Sequence, residues 1–302
     1  MRERAFVTLD VFTHQRFAGN PLAVVLDGDG LSDQSMQTIA REFNLSETVF
    51  VTPPRNADER AFIRIFTPGA ELPFAGHPTV GTAVLLALRD QAGSIGSVDF
   101  TLGEKVGLVR CRVRTQSDIS GHATFTLPKL PQRIGEFGDV DALPESLGLS
   151  AADIGFGAHR PAVFSAGVPF PLVPLASRAA VDLARLAAER FARAVSGPSD
   201  DHVFIYCNEP TQSGRHYYAR MFAPGFGIAE DPATGSAVAS FAGAIMAFDQ
   251  PGDGEHRFVI EQGYAMGRPS EIELTLHVKN GALERATIGG GAIVVTKGVV
   301  LA

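Results

Sequence analysis

The chain has 302 residues, 45% of them hydrophobic and 20% charged, and a formal net charge of −7. That length accommodates two domains of ordinary size with ample core, while an acidic balance without any Lys/Arg cluster excludes a nucleic-acid surface. Two cysteines, Cys111 and Cys207, make neither a disulfide framework nor a zinc site, so a reducing, cytoplasmic location is expected.

The opening MRERAFVTLDVF passes directly into a strand pattern, without the apolar core and cleavage site of a signal peptide. Strands are predicted over Ala5–Phe12 and Leu22–Leu26, joined through the turn-forming Gly19-Asn20-Pro21. Ser32 reads as an N-cap, Met36, Ile39, Ala40 and Phe43 share one face of the helix it opens, and Asn44 ends that helix. Strands Thr48–Val51 and Ala61–Phe66 follow. His77 can cap the next helix, with Pro78 at its first position. That helix, VGTAVLLALRD, is apolar on nearly every side and has to be enclosed rather than laid on a surface. Strands Ser97–Leu102, Lys105–Arg114 and Ala123–Leu127 lead to Pro128 and Pro131, where a hinge between halves is expected.

The second half repeats the plan. An extended run over Val163–Leu175, a helix near Val181–Val195 and strands His202–Cys207 and Tyr217–Phe222 precede a second all-apolar helix, SAVASFAGAIMAF. Strands Arg257–Gln262, Glu271–Val278 and Ala292–Val295 complete the chain. The longest apolar run, Ala237–Phe248, is far shorter than the roughly 20 residues of a membrane span.

The two halves are copies. FTPGAELPFAGHPTVGTA, from Phe66 to Ala83, aligns with FAPGFGIAEDPATGSA, from Phe222 to Ala237, pairing His77 with Asp231, Pro78 with Pro232, Gly81 with Gly235 and Thr82 with Ser236. Arg64-Ile65-Phe66 pairs with Arg220-Met221-Phe222, Val49-Phe50-Val51 with Val203-Phe204-Ile205, and Ala18–Leu22 resembles Ala166–Phe170. The prediction is an α+β protein of two pseudo-symmetric domains, each a curved mixed sheet around a central helix: residues 1–127 with 289–302, and 128–288. Domain closure is expected, with hinges near Pro128 and Gly289.

Each Pro-x-x-Gly-Ser/Thr segment is expected to open a helix, where unpaired N–H groups and the positive end of the dipole attract anions. Gly76, Gly81, Gly235 and Ser236 are small enough for a ligand to approach the backbone. The bland reading is that His77 and Asp231 merely cap their helices; the duplication favours a clamp for one carboxylate-bearing substrate in the cleft between the domains. Glu47, entering a strand, is either a solvated surface charge or an acid/base whose pKa burial raises toward neutrality. Asp201 is its repeat partner. His77 is a cap, a structural imidazole or a second acid/base, and Asp231 can bind an amine or hydroxyl of the substrate. Asp27-Gly28-Asp29-Gly30 reads as a turn rather than a calcium loop. Gly289-Gly290-Gly291 lacks the dinucleotide pattern, and no nucleophile elbow, Walker loop, HExxH or metal-ligand spacing is present. No cofactor and no metal are expected.

DVFTHQRFAGNPLAVV, NLSETVFV, FAGHPTVGTA, EDPATGSA and EQGYAMGRPS, in this order, resemble the phenazine-biosynthesis PhzF-like isomerase family over essentially the whole chain. The resemblance implies a diaminopimelate epimerase-like fold with the active site between two related domains. It also implies that Glu47 shuttles the proton, that His77, Asp231 and Ser236 are polar active-site residues, and that Asn20, Gly76 and Gly235 bind substrate, the two glycines through their backbone. The family's isomerase works without a cofactor on a dihydro-hydroxyanthranilate, and a homodimer is expected from the family alone. Related racemases of the fold use two cysteines near the helix starts; neither motif here contains one.

The leading expectation is a cofactor-independent isomerase acting on a small carboxylate. The rival is a small-molecule or protein-binding member that kept the fold and lost turnover. A hydrolase or lyase with Glu47 as base ranks third, since no separate nucleophile is evident.

Overall fold

The computed structural model describes residues 2–92, 94–195, 199 and 201–302. The chain divides into two compact units, Met1–Pro128 with Gly289–Ala302, and Lys129–Ile288. Among the described residues no helix is long and apolar enough to cross a membrane.

The first unit contains β1 (Glu3–Val11), β2 (Asn20–Val25), α1 (Asp33–Phe43), β3 (Glu47–Thr52), β4 (Ala61–Phe66), β5 (Glu71–Leu72), α2 (Gly76–Asp90), β6 (Ser97–Glu104), β7 (Gly107–Thr115) and β8 (Ser120–Thr126). The second contains β9 (Gln132–Gly135), α3 (Leu143–Ser146), β10 (Ala162–Ser165), β11 (Pro169–Pro174), α4 (Arg178–Leu183), α5 (Ala188–Val195), β12 (Val203–Cys207), β13 (Tyr217–Ala223), β14 (Ile228–Asp231), α6 (Gly235–Phe248), β15 (Gly254–Gln262) and β16 (Ser270–Lys279). A final strand, β17 (Ala282–Leu301), runs through the boundary at Ile288.

In the first unit β1 pairs antiparallel with β2, β2 parallel with β3, β3 antiparallel with β4 and β4 parallel with β6. The antiparallel β6–β7 and β7–β8 pairs continue the ring. β17 then joins β8 and returns antiparallel to β1, closing a barrel. α2 packs against β1, β2, β3, β6, β7 and β8. Every residue of α2 from Gly76 to Leu88 is buried, the burial that its all-round apolar composition demands. Gly81 is where the helix comes closest: a Cβ there would lie 2.7 Å from side-chain atoms of both Leu22 and Val11.

The second unit repeats these pairings with β9, β10 and β11 antiparallel in turn, β11–β12 parallel, β12–β13 antiparallel and β13–β15 parallel, followed by the antiparallel β15–β16 pair. α6 lies against β9, β10, β11 and β16. A second layer of core, with Leu143, Val181, Phe191 and Val203 fully buried, fastens α3, α4 and α5 to the outside of this sheet. Burying each such side chain is worth about 1.5–3 kcal/mol.

The duplication extends to chemistry. Arg64 on β4 donates to both carboxylate oxygens of Glu71 at 2.7 and 2.6 Å, and Arg220 on β13 does the same to Glu230 at 2.8 Å twice. Arg220 also donates through Nη1 to the carbonyls of Val181, Asp182 and Ala184, closing the C-terminal end of α4.

Ser32 caps α1 by accepting from the Ser35 amide, and Asn44 ends it in the left-handed region, φ 51°. Five expectations need correction. α2 begins at Gly76 with Ala75 as N-cap and no side-chain cap bond, so His77 does not cap and Pro78 is the third helical residue. α6 begins at Gly235 with Thr234 as N-cap, so Asp231 and Pro232 precede the helix. The helix expected over Val181–Val195 is two, α4 and α5, because the amides of Arg185 and Ala187 turn away to the carbonyls of Leu147 and Ser146. The extended run Val163–Leu175 folds into the β10–β11 hairpin about Gly167, φ 125°, and Ala292–Val295 is only the middle of β17.

Candidate active site

Three element starts meet in the first unit. β2 begins at Asn20, β3 at Glu47 and α2 at Gly76. The parallel β2–β3 register sets Leu22 opposite Glu47, which puts Asn20 and Pro21 just upstream of the carboxyl group; Asn20 is fully buried. His77, the second residue of α2, holds Nδ1 3.3 Å from Oε2 of Glu47. Glu47 is no solvated surface charge: 14% of its side chain is exposed, and 3% of that of His77.

The imidazole is neutral. Burial pushes its pKa down to about 3, against a hydrogen bond to the Pro21 carbonyl that acts in the opposite direction. Among the described residues Nε2 has no hydrogen-bond partner, so the bond to Pro21 falls on Nδ1. The groups facing Nδ1, a backbone carbonyl and a carboxyl oxygen, accept; Nδ1 therefore carries the proton. The 3.3 Å contact is a neutral N–H beside a carboxyl group and not an imidazolium ion pair.

The amides of Gly76 and His77 precede the first intrahelical bond of α2, which runs from Thr79 N to Ala75 O. In α6 that first bond runs from Val238 N to Thr234 O, leaving the amides of Gly235 and Ser236 in the same condition. Gly76 and Gly235 are thus each the first residue of their helix, although the repeat alignment pairs Gly235 with Gly81. The second copy delays its helix by one turn.

Asp231 ends β14 in register with Met221 on β13 and is 7% exposed. Its carboxylate accepts from the Thr234 hydroxyl. Gln262, fully buried at the end of β15, fixes the intervening loop: Nε2 donates to the Asp231 carbonyl at 2.7 Å and to Thr234 Oγ1 at 3.0 Å, and Oε1 accepts from the Thr234 amide at 3.0 Å. A Cβ at Gly263 would lie 2.6 Å from the Pro232 carbonyl, so β15 presses directly on that loop. Asp201 turns elsewhere, accepting from His202 at 2.6 Å with its carboxylate against Gly225.

In the first unit, then, Asn20, Glu47, Gly76 and His77 are neighbours; in the second, Asp231, Gly235 and Ser236 are. Sequence reasoning assigned no role to Gln262 or Thr234. The signal was available, since Gln262 stands in the EQGYAMGRPS motif, but only the fold shows that its amide grips the Asp231 loop. Both cysteines are buried and free; burial pushes Cys207 up to about 11 and Cys111 further in the same direction. Among the described residues no group of three or more His, Cys, Asp or Glu side chains is arranged to hold a metal ion.

Residues 9–298 match the family model described as phenazine biosynthesis-like protein, PhzC-PhzF. The chain is 48% identical over 301 residues to an uncharacterized isomerase of Mesorhizobium japonicum, covering 99% of each. It is 33% identical over 296 residues to trans-2,3-dihydro-3-hydroxyanthranilate isomerase of Pseudomonas chlororaphis, covering 98% of this chain and 99% of that one. A crystal structure of the Bacillus anthracis phenazine biosynthesis protein of the PhzF family superposes with a TM-score of 0.88 at 26% identity, each chain covered completely.

Proposed function

The chain belongs to the PhzF-like isomerase family, and from that premise we propose that it moves a proton on a small carboxylate-bearing substrate, with Glu47 as the acid/base and no cofactor. The Pseudomonas relative, trans-2,3-dihydro-3-hydroxyanthranilate isomerase, makes a cyclic dihydro-hydroxyanthranilate the first substrate to try.

One observation carries the reading: Nδ1 of a neutral, buried His77 lies 3.3 Å from Glu47 Oε2, which sets the carboxyl group beside the start of α2. A carboxylate so placed takes a proton from carbon next to an activating group and returns it to another carbon, a transfer that positioned carboxylates accelerate. The imidazole, anchored to the Pro21 carbonyl, packs beside the carboxyl group and, being neutral, brings no charge to it. In this proposal the free amides at Gly76, Gly235 and Ser236 hold the substrate carboxylate and the negative charge that develops on it. Asp231 receives a substrate amine or hydroxyl, and Asn20, buried at the start of β2, binds substrate as well. The reading has both constellations acting on one substrate, as the resemblance implies.

The test is solvent deuterium incorporation into trans-2,3-dihydro-3-hydroxyanthranilate and a panel of cyclic unsaturated carboxylates, wild type against Glu47→Gln. Exchange in the wild type that disappears in the variant supports the proposal. Exchange that persists unchanged in Glu47→Gln removes Glu47 from its role, and none in the wild type over the panel removes this substrate class.

A further inference from the structure

The reading above makes no use of Glu104, a carboxyl group 3% exposed at the end of β6. Its Oε1 lies 2.8 Å from Thr79 Oγ1, and the same hydroxyl lies 2.8 Å from the carbonyl of Ala75, the N-cap of α2. A threonine hydroxyl has one proton, and a backbone carbonyl has none to give. Both contacts are hydrogen bonds only if Glu104 is protonated, donating to Thr79 while Thr79 donates to Ala75. Among the described residues Oε2 has no partner, which suits the carbonyl of a neutral acid and would strand the charge of a carboxylate.

The duplication supplies an independent observation. β4 pairs with β6 through Phe62 and Gly103, and β13 pairs with β15 through Tyr218 and Glu261. Phe62 and Tyr218 each stand two residues before the matched arginines, Arg64 and Arg220. The residues that follow, Glu104 and Gln262, therefore occupy one position of the repeat. Gln262 is a permanently neutral amide, and it grips the loop leading into α6. Glu104 grips the start of α2. Beside it the Val106 amide donates to the Pro73 carbonyl at 3.0 Å, so the β6–β7 turn holds the same entry segment.

We propose that Glu104 is the positioning residue of the α2 start, doing as a protonated acid what Gln262 does as an amide, and that loss of its proton loosens the first turn that carries Gly76 and His77. Once ionised, Glu104 takes the Thr79 proton for itself, the Ala75 carbonyl loses its side-chain donor, and a charge is left on a side chain closed off from solvent. The titratable groups on the neighbouring elements do not offset that charge. His77 on α2 is neutral. Cys111 on β7 is held protonated, partly by Glu104 itself. Arg64 on β4 and Lys105 beyond β6 are engaged with Glu71, and Arg110, Arg112 and Arg114 lie on the exposed face of β7. Burial sets the release point, pushing Glu104 up to about 8. The bearing on catalysis rests on the proposed role of His77; the bearing on the helix start does not.

Hydrogen exchange of the 74–88 segment, corrected for intrinsic rates and followed from about pH 6 to about pH 9.5, tests it without any substrate. In wild type, protection of the first turn should fall by roughly tenfold or more as pH rises through the range in which Glu104 ionises, while Glu104→Gln keeps the low-pH protection throughout. A pH dependence of equal size in Glu104→Gln, or loss of protection in that variant at every pH, overturns the proposal. Glu104→Ala, where it folds, should be unprotected at all pH values; full protection in it equally overturns the proposal.

Discussion

Nδ1 of His77, bonded to the Pro21 carbonyl, lies 3.3 Å from Oε2 of Glu47, and only 3% of the imidazole side chain is exposed. The ring spends its one N–H on the Pro21 carbonyl, so it packs beside the carboxyl group as a neutral neighbour. Replacing Glu47 with Gln removes the proposed proton acceptor and keeps the shape. Turnover in the exchange assay should fall by about 10²–10⁴-fold, with the urea midpoint little changed.

The same imidazole sets the acid limb of stability. Its folded pKa, about 3, lies below the ordinary imidazole value of 6.5, so the unfolded chain binds the proton more readily. The stabilising contribution is complete above pH 6.5 and is lost as pH falls from 6.5 toward 3. Urea titrations across that window should show stability declining by up to about 1.4 kcal/mol per pH unit. In His77→Gln that component of the slope should vanish; an unaltered slope would assign it to carboxylates elsewhere.

Glu104 contributes with the opposite sign. Its folded pKa is raised to about 8 from 4.5, so the contribution is complete below pH 4.5 and is lost as pH rises from there to about 8. With both residues present stability should peak on the weakly acidic side of neutrality. Glu104→Gln should move the peak upward in pH, which differential scanning calorimetry in a series of buffers measures.

Arg220 is 6% exposed at its side chain and serves Glu230 and three carbonyls at once. Lysine offers one ammonium in place of a planar fork and cannot reach all four partners. Arg220→Lys should cost about 2–4 kcal/mol, read from chemical unfolding, with α4 the first helix to lose exchange protection.

Gly263 combines φ 79° with a space in which a Cβ would stand 2.3 Å from the Arg268 carbonyl and 2.6 Å from that of Pro232. Both neighbours are backbone and cannot swing aside. Gly263→Ala should destabilise by about 2 kcal/mol or more and displace the loop of Asp231, so that substrate affinity falls together with the melting temperature.

Much of this was legible beforehand because it is written in local chemistry. Ser32 and Asn44 bracket α1 by capping and left-handed geometry, and the unbroken apolar faces of α2 and α6 announce enclosure. The pairing of Arg64 with Arg220 could be read from the repeat, but their glutamate partners could not, because Glu71 and Glu230 stand at different distances from the two arginines. Helix starts were misplaced since Pro78 and Pro232 look like first-turn residues, whereas the turn actually begins on a glycine in both copies. Gly289-Gly290-Gly291 hid the length of β17 because glycine argues against strand, yet close packing explains two of the three: a Cβ at Gly289 would strike Thr124, and one at Gly291 would strike His14. Glu104 and Gln262 escaped notice for a different reason. Their partners come from another element, and only strand register reveals that the two residues correspond.

β1 is bordered on one side by β2 and on the other by residues 292–301 of β17. During synthesis β1 therefore leaves the ribosome long before residues 292–301 can cover its free edge. Until then the nascent first unit is an open sheet with a sticky rim, and its apolar helix has no finished wall to nest in. Vulnerability to aggregation is concentrated in that interval, and the final ladder of hydrogen bonds ends it.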